Sequence, residues 1–275
     1  MFLIFRYFYL FLLVLLVKGF SIIEASTSEK PHPQKIVLTK CNIISCADKR
    51  LQKNMTIIIE GRKIISIKKG GYKEKNKDKN IEVINLDGAY ILPGFWNVHM
   101  HLTALLPDPN RVQDNESIAS ATIRAGLNAM DGIRHGFTSI RSVGERDYID
   151  LYWRDAFSQG YFMGPRIFAS GDAVTVTGGH RGDVEFGSDG VYEIRKAVRQ
   201  RIQKGVDWIK IVDVEMLSDE LNAAIETTHS LGRKITSHSR EPATYRSVLA
   251  GVDCIEHGYG LTDKTIKLMA EKGTY

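Results

Sequence analysis

Two rhythms of apolar and polar positions divide the chain. From Lys35 to Leu92, runs rich in Ile and Val, KIVLTKCNII, MTIIIEGRKIISI and IEVINLDGAYIL, are broken by turn residues, the pattern of short strands. Asp87-Gly88, between two of the strand-forming runs, reads as a hairpin signal, and Glu60-Gly61 marks another turn. Residues 35–92 are therefore expected to form a small β-sheet, a half-sandwich.

After Pro93-Gly94, strand-like runs alternate with stretches whose apolar residues recur at helical spacing, the signature of repeated βα units around a parallel sheet. Six strands are predicted: FWNVHMHL from Phe95, TSIRSVG from Thr138, RIFASG from Arg166, DWIKIVDV from Asp207, KITSHSR from Lys234 and DCIEHGYG from Asp253. Helices are predicted between them, among others over Ser117–His135, Tyr192–Lys204, Ser218–Leu231 and Pro242–Ala250, the third opening on a serine followed by acids. The first strand has no Gly-rich phosphate turn, which disfavours an open dinucleotide-binding sheet. The fold class expected is α/β, an incomplete (β/α)8 TIM-type barrel of strands one to six over residues 93–275, with the β-sandwich portion before it.

Ahead of both regions, residues 1–25 combine an early Arg6, an apolar run from Tyr7 to Val17 and a small residue at Ala25, the layout of a secretory signal peptide. The run is 11 residues long, whereas a bilayer-spanning helix needs roughly 20. Export, periplasmic or secreted, is the expectation; the alternative is membrane anchoring by an uncleaved segment. The net charge of +5 owes much to one stretch, KKGGYKEKNKDK from Lys68 to Lys79, read as a solvated hairpin or loop because no basic and aromatic residues interleave across a face. No nucleic-acid partner is therefore expected. Cys41 and Cys46 are as well read as two small residues as a disulfide, and Cys254 as inert core. Asn54-Met-Thr and Asn115-Glu-Ser are sequons that matter only if an exported chain is glycosylated.

The candidate chemistry sits at strand ends. His99 and His101 are two apart, so the strand period puts both rings on one face, and two such rings are hard to bury without partners. His238 and His257 fall near the ends of later strands, where catalytic groups of barrels gather. Lys210 lies inside WIKIV, on the side of Trp208 and Val212; buried there it must pair with an acid such as Asp213 or Glu215, reach the strand end, or be modified. Four imidazoles suit zinc, manganese, iron or nickel, and leave a position for water.

In this order, PGFWNVHMH, GFTSIRSVGE, GPRIFASG followed by TGGH, DWIKI, SHS and GVDCIEHG resemble successive motifs of the amidohydrolase superfamily, in the branch of imidazolonepropionases and metal-dependent Xaa-Pro dipeptidases (prolidases). The resemblance runs from about Lys35 to Tyr275. It implies that His99 and His101 bind metal, that Lys210 is carbamylated and bridges two metals, and that His238 and His257 complete the second site: one or two divalent ions, zinc first. His180, in the TGGH loop, is similar to a residue near the substrate pocket, though a plain loop histidine is an equal reading. The sequence departs from the pattern at Asn97, where aspartate is commonest, at Arg240, where many relatives have histidine, and after Lys210, where DVEMLS lacks the usual glycines.

The resemblance also expects a general-base aspartate on an eighth strand; no residue is assigned to it, since KGTY falls around the start of a seventh strand. The activity implied is hydrolysis of a C–N bond, in an amide, peptide or cyclic amide, through a metal-activated water. The alternative is a truncated or degenerate fragment without catalysis. A small molecule or short peptide is the expected partner, and the sequence leaves room for a homo-oligomer.

Overall fold

The computed structural model describes residues 35–47, 50–73, 80–108, 116–180 and 187–275. The expected export segment, the sequon asparagine Asn115 and residues 74–79 of the lysine-rich stretch lie outside the described residues. Two compact units divide the chain, Met1–Pro93 and Gly94–Tyr275.

The described residues of the first unit form one mixed sheet. β1 (Lys35–Ile44) is its axis, antiparallel to β2 (Leu51–Glu60) and parallel to β4 (Ile81–Asn85), with β3 (Lys63–Lys69) outside β2. Alternation along β1 buries Val37, Thr39, Cys41 and Ile43, and Cys41 and Ile43 pack on Ile57 of β2. The turn expected at Glu60-Gly61 is present, with a φ of 55° at Gly61, and it joins β2 to β3 as a two-residue hairpin. Asp87-Gly88 is not a hairpin. β5 (Tyr90–Ile91) runs parallel to β1 just as β4 does, so the turn is a jog in a strand that keeps its direction. β1 is irregular at the same level: Lys40 also has a positive φ of 52°, and its carbonyl accepts from Gly88 N at 2.7 Å, so the two chains sidestep together. Cys41 stays a thiol, its Sγ 3.2 Å from the Met55 carbonyl, and Cys46 is exposed.

The second unit is built from parallel strands and helices in alternation. β6 (Phe95–Met100), β7 (Phe137–Ser142) and β8 (Arg166–Phe168) form one three-stranded sheet, and β9 (Ile209–Val212), β10 (Ile235–Arg240) and β11 (Cys254–Tyr259) another. Val174, downstream of β8, links them: its N–H reaches Lys210 O at 2.8 Å and its carbonyl takes Val212 N at 3.0 Å. None of these sheets closes on itself among the described residues. Tyr275 pairs with the outer edge of β11 through Ile255 N and Asp253 O, a parallel rung where the sequence places the start of a further strand.

The helices are α1 (Ile118–Arg134), α2 (Ile149–Ser158), α3 (Gly190–Lys204), α4 (Ser218–Ser230), α5 (Ala243–Ala250) and α6 (Asp263–Lys272). α1 starts where Ser117 Oγ accepts from Ser120 N at 3.1 Å, and it buries a stripe of small residues, Ala121, Ala125, Gly126 and Ala129. In α4 Ser218 is the first helical residue rather than the cap; Glu220 reaches back to Leu217 N at 2.8 Å instead. The core between sheet and helices is aliphatic, with Ile194, Ile209, Ile211, Leu221 and Ile235 fully buried, each side chain stabilising the fold by roughly 1.5–3 kcal/mol. No helix among the described residues is long and apolar enough to cross a membrane.

Candidate metal centre

Every histidine singled out from the sequence arrives at one end of the parallel strands. The His99 and His101 rings stand edge to face with centroids 5.4 Å apart. Asn97, the position that departs from the commonest motif, accepts from the His99 backbone N–H at 3.1 Å and so fixes the strand just before the pair. His101 Nδ1 lies 2.9 Å from Gly144 O; a carbonyl only accepts, so Nδ1 carries the proton and the lone pair of the neutral ring is on Nε2. On β10 and β11, His238 and His257 stand 4.5 Å apart, and His257 is 4.6 Å from His99. His180, from the loop after β8, stacks on His238 at 4.6 Å.

Strand alternation alone does not place His257. Glu256 and His257 are consecutive, yet both meet His99. The reconciliation is a φ of 69° at His257, the left-handed region, costly for a side chain with a Cβ. It coincides with a register shift in the β10–β11 ladder after Ser239.

Lys210 is 3 % exposed, level with Thr236 of β10, and its charge acts on His238, His257 and Glu256. Asp213, weighed from the sequence as its ion-pair partner, points the other way: it bonds Ser247 of α5 and feels the hydroxyls of Ser239 and Ser237. Residues an odd number apart in a strand face opposite sides. Cys254, expected to be inert core, has its Sγ 3.4 Å from Arg141 and 3.9 Å from Glu256.

Three polar residues that the sequence reading did not assign complete the site. Glu256, 4 % exposed, joins His99 Nδ1 at 2.7 Å, Thr236 Oγ1 at 2.6 Å and Arg141 Nη2. Arg141 stacks over Trp208 at 3.9 Å. Glu145 accepts from Leu102 N, Thr103 N and Thr103 Oγ1, pinning the turn that follows His101. Arg141 and Glu256 are charges inside predicted strands, the same signal that picked out Lys210.

The electrostatics of the site disfavour a proton on two of the imidazoles, His238 and His257. Burial lowers His238 to about 3, helped by the charges of His257 and Lys210, and burial likewise lowers His257, with His99 and Lys210 adding to it. Burial pushes Glu256 up, but the hydrogen bonds from His99 and Thr236 and the charges of Arg141 and Lys210 outweigh it and hold the carboxyl at about 2. Neutral imidazole is the form that ligates a metal. Two imidazoles sharing a zinc ion at about 2.0–2.1 Å would have centroids roughly 4.5–5.5 Å apart, which the observed ring spacings match. No three His, Cys, Asp or Glu side chains among the described residues already stand in metal-holding geometry. The donor chemistry and spacing fit a divalent ion, with ring rotations left to its binding.

A model of the amidohydrolase family matches residues 90–275. An uncharacterised protein of Mycobacterium tuberculosis is 32% identical over 200 residues, 68% of this chain and 50% of that protein. Ochratoxinase of Aspergillus niger is 25% identical over 228 residues, 66% of this chain and 46% of that protein. Among solved structures, a Xaa-Pro dipeptidase with methionine bound in its active site superposes with a TM-score of 0.80 at 28% identity, over 88% of this chain and 66% of that one. The chain thus spans about half the length of the curated relatives it matches. With the family model covering most of the sequence, strand ends and all, the chain belongs to the amidohydrolase family.

Proposed function

We propose that this chain carries the metal-binding residues of a hydrolase that cleaves a C–N bond in an amide, a peptide or a cyclic amide. The observation that carries the reading is the convergence of His99, His101, His238 and His257 at one end of the parallel strands, with Lys210 buried beside them. In this reading β6 to β11 are six strands of a (β/α)8 barrel, and residues 35–92 belong to its accompanying β-sandwich. His99, His101, His238 and His257 would hold one or two divalent ions, zinc first, with Lys210 joining them as a carbamate. A bound divalent ion supplies an acidified water and polarises a carbonyl. His180, stacked on His238, borders the space where a substrate would lie. Support for C–N chemistry comes from the similarity to a Xaa-Pro dipeptidase. The proton-handling aspartate that the resemblance expects is assigned to no residue of the sequence given. Residues 1–25 are read as an export signal, to be checked by mass spectrometry of the mature N-terminus.

Elemental analysis of the purified chain tests the reading. One or two divalent ions per chain are expected, lost in His99→Ala and His238→Ala and reduced in Lys210→Ala, together with turnover of Xaa-Pro dipeptides or N-acyl amino acids by the whole protein. Metal content at background, or unmoved by these substitutions, refutes it.

A further inference from the structure

His99 has a partner that decides which of its nitrogens can ligate. Its Nδ1 is 2.7 Å from Glu256 Oε2 across 157 positions of sequence. The other carboxylate oxygen, Oε1, is occupied from a different side: Thr236 Oγ1 donates to it at 2.6 Å, and Arg141 Nη2 donates to it as well. Arg141 is itself fixed, with Nε 2.5 Å from the carbonyl of Val98, the residue before His99, and its plane 3.9 Å over the Trp208 ring. The two oxygens of Glu256 therefore have separate duties, and the carboxylate cannot turn without abandoning two donors.

We propose that Glu256, locked by Arg141 and Thr236, is the positioning residue that sets the His99 tautomer, holding the proton on Nδ1 so that the Nε2 lone pair is presented to the metal. This deepens the functional reading above and rests on it for the metal; the tautomer itself does not. A carboxylate only accepts, so the bond requires a proton on Nδ1. Partners of this kind on ligating histidines typically change metal affinity 10–100-fold when removed. Arg141 balances the buried charge of Glu256, which on its own would be expensive to hold among strands.

Glu256→Gln separates this role from packing, because the shapes match and the chemistry at one position inverts. Thr236 and Arg141 both donate toward Oε1, so the amide oxygen belongs there and the amide nitrogen is left facing His99 Nδ1. The amide then donates where the carboxylate accepts, Nδ1 becomes the lone-pair nitrogen, and the proton moves to Nε2.

The experiment is long-range 1H–15N correlation of the metal-free full chain at pH 8, with His99 assigned by comparison with His99→Ala. The Nδ1–H tautomer is expected in the native chain and the Nε2–H tautomer in the glutamine variant, with zinc affinity, measured by competition with a chromophoric chelator, 10–100-fold weaker. A native His99 protonated on Nε2 overturns the proposal without any variant. So does a folded Glu256→Gln whose His99 tautomer is unchanged and whose zinc affinity stays within twofold. A native chain that shows the expected tautomer, and its inversion, but takes up no zinc upholds the positioning role and refutes the metal-binding reading instead.

Discussion

Glu145 makes the fold pH-dependent in a direction opposite to ordinary acid denaturation. Its carboxyl is 1 % exposed, and burial, with the charge of Asp150 adding to it, raises its pKa from 4.5 to about 8 against the donors from Leu102 and Thr103. The folded chain therefore binds this proton more tightly than the unfolded chain. Stability from this group is complete below pH 4.5 and is lost as the pH rises through 8. A shift of that size corresponds to about 5 kcal/mol, comparable with the whole stability of many domains. Glu145→Gln removes the titration but also an acceptor, since an amide nitrogen cannot receive both backbone N–H groups; that costs about 1–3 kcal/mol at any pH. The two stability curves should cross between about pH 5 and 7, the native chain being more stable below and the variant above. Guanidinium unfolding followed by tryptophan fluorescence, at half-unit steps from about pH 4.5 to 9 with chelator present throughout, measures the difference directly; other titrating groups cancel between the two proteins. Parallel curves, or a variant weaker at every pH, would show that Glu145 is ionised in the folded state and that the donors outweigh burial.

The same structure makes three further predictions. A Cβ at Gly126 would lie 2.0 Å from Trp153 Cζ2, and Trp153 is tied to Thr122 O at 2.7 Å; Gly126→Ala should destabilise by about 1–3 kcal/mol despite a gain of about 1 kcal/mol in helix propensity. In a Trp153→Leu background the same substitution should become neutral or stabilising, and denaturant midpoints that fail to show this reversal refute the clash. Arg201 donates to the carbonyls of Asp172, Ala173 and Ala197 at 2.6, 3.0 and 3.1 Å; Arg201→Met should cost about 2–4 kcal/mol in chemical unfolding, chiefly by taking the donor from the Asp172 and Ala173 carbonyls, which unlike that of Ala197 lie outside the helix, and a loss below about 0.5 kcal/mol would show water replacing it. His238, lowered to about 3 by burial and its charged neighbours, should remain neutral at about pH 5 in the metal-free chain, where an ordinary imidazole is titrating; a His238 Cε1–H resonance that moves with a midpoint of about 6 to 7 would contradict the stated environment.

How much of this was legible in the sequence depends on whether a feature is local. The strands were, because runs such as KIVLTKCNII and RIFASG carry their own periodicity, and so was the adjacency of His99 and His101, because a period of two is a property of one strand. The jog at Asp87-Gly88 was not: the turn chemistry is right for a hairpin, and what makes it a jog is the pairing of both flanking strands with β1, a strand that comes earlier in the chain. Lys210 shows the intermediate case. The period that turned it inward also turns Asp213 outward, so that candidate partner could have been dropped from the sequence alone, whereas Glu256 could not have been found from the neighbourhood of Lys210.

Arg141, Lys210 and Glu256 each stand in a different strand as a charge where an apolar side chain would be cheaper. Read singly, each is an anomaly with several explanations. The fold brings them around one space, where the acid offsets the bases and anchors a histidine that none of them neighbours in sequence. A strand-interior charge is therefore better treated as one member of an unseen set than weighed against its own sequence neighbours. The proper search for the others runs over inward positions of every parallel strand, which here pairs Arg141 of one sheet with Glu256 of the other while Lys210 stays beside the histidines.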